Sequence, residues 1–118
     1  IVTNMLLYAM LEVREYLADD GRSPYASWFN DLNAQVAAKV AIEVTRIAQG
    51  NLSNAKRVGA GIQEYRIDYG PGYRIYFGKD GDRLVILLGG GTNKRQQDDI
   101  GGVRLLWADY KRSKKKDE

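Results

Sequence analysis

Neither cysteine nor histidine occurs among the 118 residues. The first absence removes disulfides and thiolate metal sites. The second removes the commonest general base, the commonest metal ligand and the side chain that changes charge near neutral pH. Acid–base chemistry is left to Lys, Arg, Tyr, Asp and Glu, and neither a metal nor another cofactor is expected. No apolar run approaches the roughly 20 residues that a helix needs to cross a bilayer. The opening IVTNMLLYAM is apolar but has no basic start and no clear cleavage site, so it does not read as a signal peptide. A cytoplasmic protein is expected. The length suits one domain, and 44% hydrophobic residues supply one modest core.

The net charge of +3 resides entirely in the final KRSKKKDE, since residues 1–110 carry 13 basic and 13 acidic groups. Within that balanced stretch, residues 56–95 hold eight basic and four acidic groups, and residues 1–55 hold four and six. The middle of the chain is a local basic zone, the pattern of a face that meets an anion, although a solvated charge mixture gives the same count. Residues 1–9 are expected to be an upstream extension, native or added, because Ile1 is not an initiator. The domain then covers residues 10–112, and residues 113–118 form a basic tail. Its lysines 114–116 read first as a disordered solubilising end and second as a nonspecific RNA contact.

Residues 11–17 alternate apolar and charged side chains, which predicts an edge strand. Ser23-Pro24 supplies an N-cap followed by proline at the first helical position, and Tyr25, Trp28, Phe29 and Leu32 continue on one helix face. After Asn33 a second helix carries Val36, Val40, Val44 and Ile47 as a stripe ended by Gly50. So short a connection predicts a helical hairpin. From Ile62 the period becomes two. Strands are expected around 62–69, 73–77 and 83–88, the last apolar on both faces and therefore interior. A three-residue loop would pair Tyr69 with Tyr73, Ile67 with Ile75, Tyr65 with Phe77 and Arg66 with Tyr76. Asp80-Gly81 predicts a two-residue hairpin that sets Phe77 against Leu84 and Ile75 against Ile86. A closing helix follows from Lys94, with Ile100, Val103, Leu106, Trp107 and Tyr110 as its apolar stripe. The fold class is α+β: a helical hairpin packed on a twisted antiparallel sheet of about four strands, with a C-terminal helix.

In that register one sheet face is apolar, and the other displays Arg66, Arg74 and Tyr76 to solvent. Guanidinium groups bind phosphate oxygens bidentately and stay charged, and a tyrosine can stack on a base or move a proton. Lys94 and Arg95 beyond the interior strand, and Lys56 and Arg57 in the loop before the sheet, extend the patch as RNA-binding candidates. The same spacing also allows Asp68 and Arg74 to form a plain cross-strand ion pair. The exposed reading predicts that Arg74→Ala costs no more than about 1 kcal/mol. Ile75→Ala, facing the core, is expected to cost roughly 2–5 kcal/mol. GAG at 59–61 and GGG at 89–91 do not lie in a dinucleotide-binding frame.

The runs GIQEYRIDYGPGYRIYF and LVILLGGGTNKRQQDDI, with YLADDGRSPYASWFNDL upstream, resemble the HigB-like addiction module killer or phage-derived toxin family of the RelE/ParE superfamily. The resemblance extends over most of residues 10–112. It implies two helices on a twisted sheet, a cognate helix-turn-helix antitoxin as partner, and mRNA on the ribosome as substrate. It also implies metal-free cleavage by the adjacent 2′-OH, with Arg66, Arg74, Tyr76 and Lys94 as the catalytic set. The arginines would stabilise phosphorane charge, Tyr76 would orient a base or donate a proton, and Lys94 would serve as base. A gyrase-directed toxin of the ParE branch, or an inactive toxin kept to bind antitoxin, are the alternatives. Asn93 stands where the family commonly has lysine.

Overall fold

The computed structural model describes residues 10–117, so the expected extension over residues 1–9 lies outside the described residues. The chain runs β1 (Glu12–Glu15), α1 (Pro24–Asn30), α2 (Ala34–Ala48), β2 (Ala55–Gly59), β3 (Ile62–Ile67), β4 (Tyr73–Asp80) and β5 (Leu84–Thr92). A single 3₁₀ turn (Asn93–Arg95) then leads into α3 (Gln96–Asp117). The two short helices begin where their caps dictate. The Ser23 hydroxyl accepts from the Ala26 N–H at 3.0 Å, and the Asn33 side-chain oxygen accepts from the Val36 N–H at 3.0 Å.

The strands form one sheet in the order β1-β5-β4-β3-β2. The expected antiparallel sheet of about four strands is corrected to five strands in a mixed sheet. The first strand does lie at an edge, but it pairs with β5 in parallel, Glu12 against Leu84 through Glu15 against Leu87. The fifth strand is β2, which carries Lys56 and Arg57 and was expected to be a loop. Its polar sequence hides it, because as an edge strand it buries little. It joins β3 through Ala60-Gly61, both with positive φ (+58° and +83°), which is the backbone of a type I′ hairpin.

Both hairpin registers differ from expectation. Ile67 pairs with Tyr73 and Tyr65 with Ile75, leaving a five-residue loop at 68–72. The slip of two residues keeps every side chain on its expected face but sets Arg66 opposite Arg74 and Glu64 opposite Tyr76. In the next hairpin Asp80 pairs with Leu84 across residues 81–83, so Phe77 meets Leu87 and not Leu84. That odd shift turns Leu84 and Ile86 to the opposite face. A bulge at Leu88, between the Phe77–Leu87 and Tyr76–Gly89 pairs, then lets β5 carry both Leu88 and Gly89 toward α3.

The sheet therefore has a core on each side. Tyr25, Val36, Val40 and Ile47 from α1 and α2 pack with Tyr65, Ile67, Ile75, Phe77, Val85 and Leu87. On the other face Ile100, Val103 and Trp107 of α3 close over Tyr16, Ile62, Tyr76, Ile86 and Leu88. Sequence alternation gave no warning of this second cover, because tyrosine, arginine and glutamate share that face with the isoleucines. Among the described residues no helix is long and apolar enough to cross a membrane. Residues 113–117, expected as a disordered tail, continue α3.

Candidate functional site

Where α3 begins, its apolar stripe has not yet started, and the sheet face beneath is polar. Glu64 is fully buried there and Arg74 is 7% exposed. The Arg74 Nη1 donates to Glu64 Oε1, and Nε donates to Asn93 Oδ1 at 2.7 Å. Gln96 Nε2, at the start of α3, donates to Glu64 Oε2 at 2.8 Å, and Lys56 Nζ lies 3.9 Å from Glu64 Oε1. Every oxygen of the sealed carboxylate is thus answered, which a buried charge requires. Arg74 does not pair with Asp68, the partner expected from spacing. It holds Glu64 and Asn93 together, with its charge internally neutralised.

The two other residues expected on an exposed face divide sharply. Tyr76 is sealed beneath α3 with no exposed surface, so it cannot stack on a ligand in this arrangement. Burial first, and then the neighbouring Glu64 and Asp99 carboxylates, push its hydroxyl far above the ordinary tyrosine range, so it stays protonated. Its Oη and the buried Oδ2 of Asp99 have no hydrogen-bond partner among the described residues. Burial also raises the Asp99 carboxyl above its ordinary value, against a smaller lowering by Arg95. Arg66, by contrast, is exposed and has no ion pair among the described residues.

Arg66 and Lys56 line a cleft of about 590 Å³ with Lys39 and Arg46 of α2, Asn54, Tyr73 and Asn93. Its two carboxylates are Glu43 and Asp68. Glu43 is already held by Arg46 Nη1 at 2.8 and 3.0 Å. The cleft consequently carries surplus positive charge over a floor of amide groups, an arrangement suited to a phosphate and its adjoining sugar or base. Lys94 and Arg95 sit exposed in the turn directly after Asn93. Arg57 is not part of this group: it pairs with Gln63, and alternation places it on the other face from Lys56.

Sequence reasoning missed Glu64, Gln96, Lys39 and Arg46. A signal existed for the helix pair. Lys39, Glu43 and Arg46 recur at helical spacing beside the apolar Val36–Val40–Ile47 stripe, marking a polar border next to the sheet.

No family model matches the sequence. The chain is 41% identical over 83 residues to a protein of Haemophilus influenzae described as uncharacterized, an alignment that covers 70% of this chain and 84% of that protein. The chain belongs to one family with that protein.

Proposed function

We propose that this member of the family is the toxin of a type II toxin–antitoxin pair, a cytoplasmic endoribonuclease that cuts mRNA with the ribosome. The observation that carries the reading is the cleft lined by Arg66, Lys56, Lys39 and Asn93, with Arg66 in no ion pair among the described residues. Arg66 and Lys56 take the scissile phosphate, and Lys94 and Arg95 contact the flanking backbone. The 2′-OH gives its proton to Lys94 in its neutral form as the 2′-oxygen attacks the adjacent phosphorus. The P–O5′ bond breaks, the 5′-oxygen takes a proton back from Lys94 or from water, and a 2′,3′-cyclic phosphate results. Arg66 stabilises the charge gathered on the phosphoryl oxygens, and Lys94 is the group assigned to proton transfer. Arg74 acts as a positioning residue that fixes Asn93, and Tyr76 belongs to the scaffold. The finer fold assignment that accompanies this reading is the RelE/ParE type, with α1 and α2 as a helical hairpin. A helix-turn-helix antitoxin encoded beside the toxin is the partner. The cationic cleft supports both, since acidic or phosphate-bearing partners are attracted to it.

Purified protein added to translating ribosomes should shorten a defined message and leave cyclic phosphate ends, and Arg66→Ala should abolish the cutting. Growth arrest with intact mRNA and reduced DNA supercoiling would overturn the ribonuclease reading in favour of a gyrase-directed toxin.

A further inference from the structure

We infer that the C-terminal half-turns of α3 form a second nucleic-acid surface, a cationic rod that grips RNA backbone phosphates away from the cleft. Residues 111–116 read KRSKKK, five cations without an acid, and all six are exposed. The last core contacts of the helix come from Trp107, which is buried, and Tyr110, which is partly so. Beyond them, among the described residues, no buried apolar side chain belongs to the helix, and Lys111 lies over the Trp107 ring at 5.8 Å. A tether to β4 fixes its course. Asp80 at the end of β4 accepts from Tyr110 Oη at 2.6 Å and from Lys114 Nζ at 2.5 Å. The rod is therefore aimed, and a shallow depression against it is lined by Lys79, Lys111, Lys114 and Lys115.

Internal partners account for only part of this pattern: Lys114 is held by Asp80, Arg112 pairs with Asp109 at 3.1 Å and Lys111 lies over the Trp107 ring. Lys111 and Lys115 stand four residues apart, as do Arg112 and Lys116, and Arg112 and Lys115 stand three apart. Each is a like-charge pair on adjacent helical turns, which weakens the helix. The C-terminal end of the helix dipole offsets part of that repulsion within the last turn, but two turns of cations exceed its reach. A polyanion relieves all of it. An anionic membrane fits less well, because surface-lying helices need an apolar face and residues 111–116 contain no apolar side chain. The rod and the cleft lie at opposite ends of β4, from Asp80 to Tyr73, about 23 Å apart at strand spacing. A protein with both can hold structured RNA at one end while presenting the cleft to a strand at the other.

This inference does not rest on the cleavage reading, and its test avoids cleavage. The probe is a fully 2′-O-methylated RNA hairpin, bound by the full chain between 50 and 300 mM salt. Three cations not engaged with Asp80 are replaced together: Lys111→Gln, Lys115→Gln and Lys116→Gln. The slope of log affinity against log salt is expected to shrink by about 2, on the order of 0.7 or more per lost phosphate contact. The matching triple arginine variant should keep the full slope. Arg66→Ala should remove less than half of what the triple glutamine variant removes. Circular dichroism should show helix content unchanged or slightly raised. An unchanged slope in the glutamine variant overturns the inference. So does binding to phosphatidylserine vesicles that matches RNA binding and disappears in the same variant.

Discussion

The two faces of the sheet are built on different terms. Under α1 and α2, Tyr65, Ile75, Phe77 and Val85 are sealed at 0 or 1% exposure in a layer that repeats the alternation of the strands. Under α3, the same strands offer Ile62, Tyr76 and Ile86, but also Glu64 and Arg74. The second layer is a hydrophobic core where α3 brings its apolar stripe and a charge network where α3 begins. What the difference teaches is that burial and polarity are separable here. Arg74 and Glu64 are as enclosed as isoleucines, and they are tolerated because each answers the other. The functional reading moves accordingly, from Arg74 to the exposed Arg66 across the strand pair.

The most severe test of that contrast removes Arg74. Arg74→Ala strands Glu64 in a sealed site and should cost about 4 kcal/mol, as for one partner of a buried ion pair. The sequence alone predicted a loss of no more than about 1 kcal/mol, on the premise of an exposed charge. Ile75→Ala, the neighbour facing the other layer, should cost about 3 kcal/mol through a core cavity. Replacing the pair together, Arg74→Met with Glu64→Leu, should recover most of the loss in denaturant melts. Failure to recover would mean that Asn93 and Gln96, left without Arg74 and Glu64, cost as much as the stranded carboxylate.

Gly90→Ala probes the first layer. Its missing side chain is the seat of the Trp28 ring, and any Cβ there would overlap that ring. Thermal unfolding should register about 2 kcal/mol of overpacking. Asp99→Asn probes the second layer with a smaller effect of opposite sign. Burial raises the Asp99 carboxyl, so the folded state keeps its proton to higher pH than the unfolded chain does. Stability therefore falls as pH climbs through that window, and at pH 7 the ionised buried oxygen is a liability. The asparagine should gain about 1 kcal/mol at pH 7. The gain should vanish below about pH 4, near the carboxylate's unfolded value. A gain independent of pH would mean that packing against Gly91, not charge, sets the effect. Smallest of all, Arg66→Ala should move stability by less than about 0.5 kcal/mol, since the side chain is exposed and in no ion pair among the described residues. Its melt is the control that lets a loss of RNA cutting be read as chemistry.

Much of the architecture was legible in the sequence for local reasons. Ser23-Pro24 and Asn33 announce helix starts through their own hydrogen bonds, and the 62–77 alternation fixes which side chains share a face. Register was not legible to the residue. A slip of two leaves alternation intact, so nothing in the pattern distinguishes a three-residue loop from the five-residue loop of 68–72. The bulge at Leu88 and the polar edge strand β2 carry no periodic signature either. The candidate site was half legible. Arg66 and Arg74 share a face as the alternation requires, but their direct pairing follows from the register, and their different exposure depends on where α3 crosses. That crossing is a tertiary fact set by Trp107 and Val103 meeting the sheet. The partner of Arg74 was hidden for the same reason, since Glu64 looks like any outward-facing acid until a helix covers it.

Each layer of this molecule carries one indole laid flat against a missing side chain, Trp28 over Gly90 on one side and Trp107 over Gly78 on the other. The sequence contains two tryptophans in all. The protein is therefore its own optical instrument, with one emitter for each side of the sheet. Trp28→Phe leaves only the α3 side luminous, and Trp107→Phe only the α1–α2 side. Should α3 lift from the sheet before the rest unfolds, the emission of Trp107 will shift to the red by more than that of Trp28, which meets α3 only along the depression it shares with Asp99 and Val103.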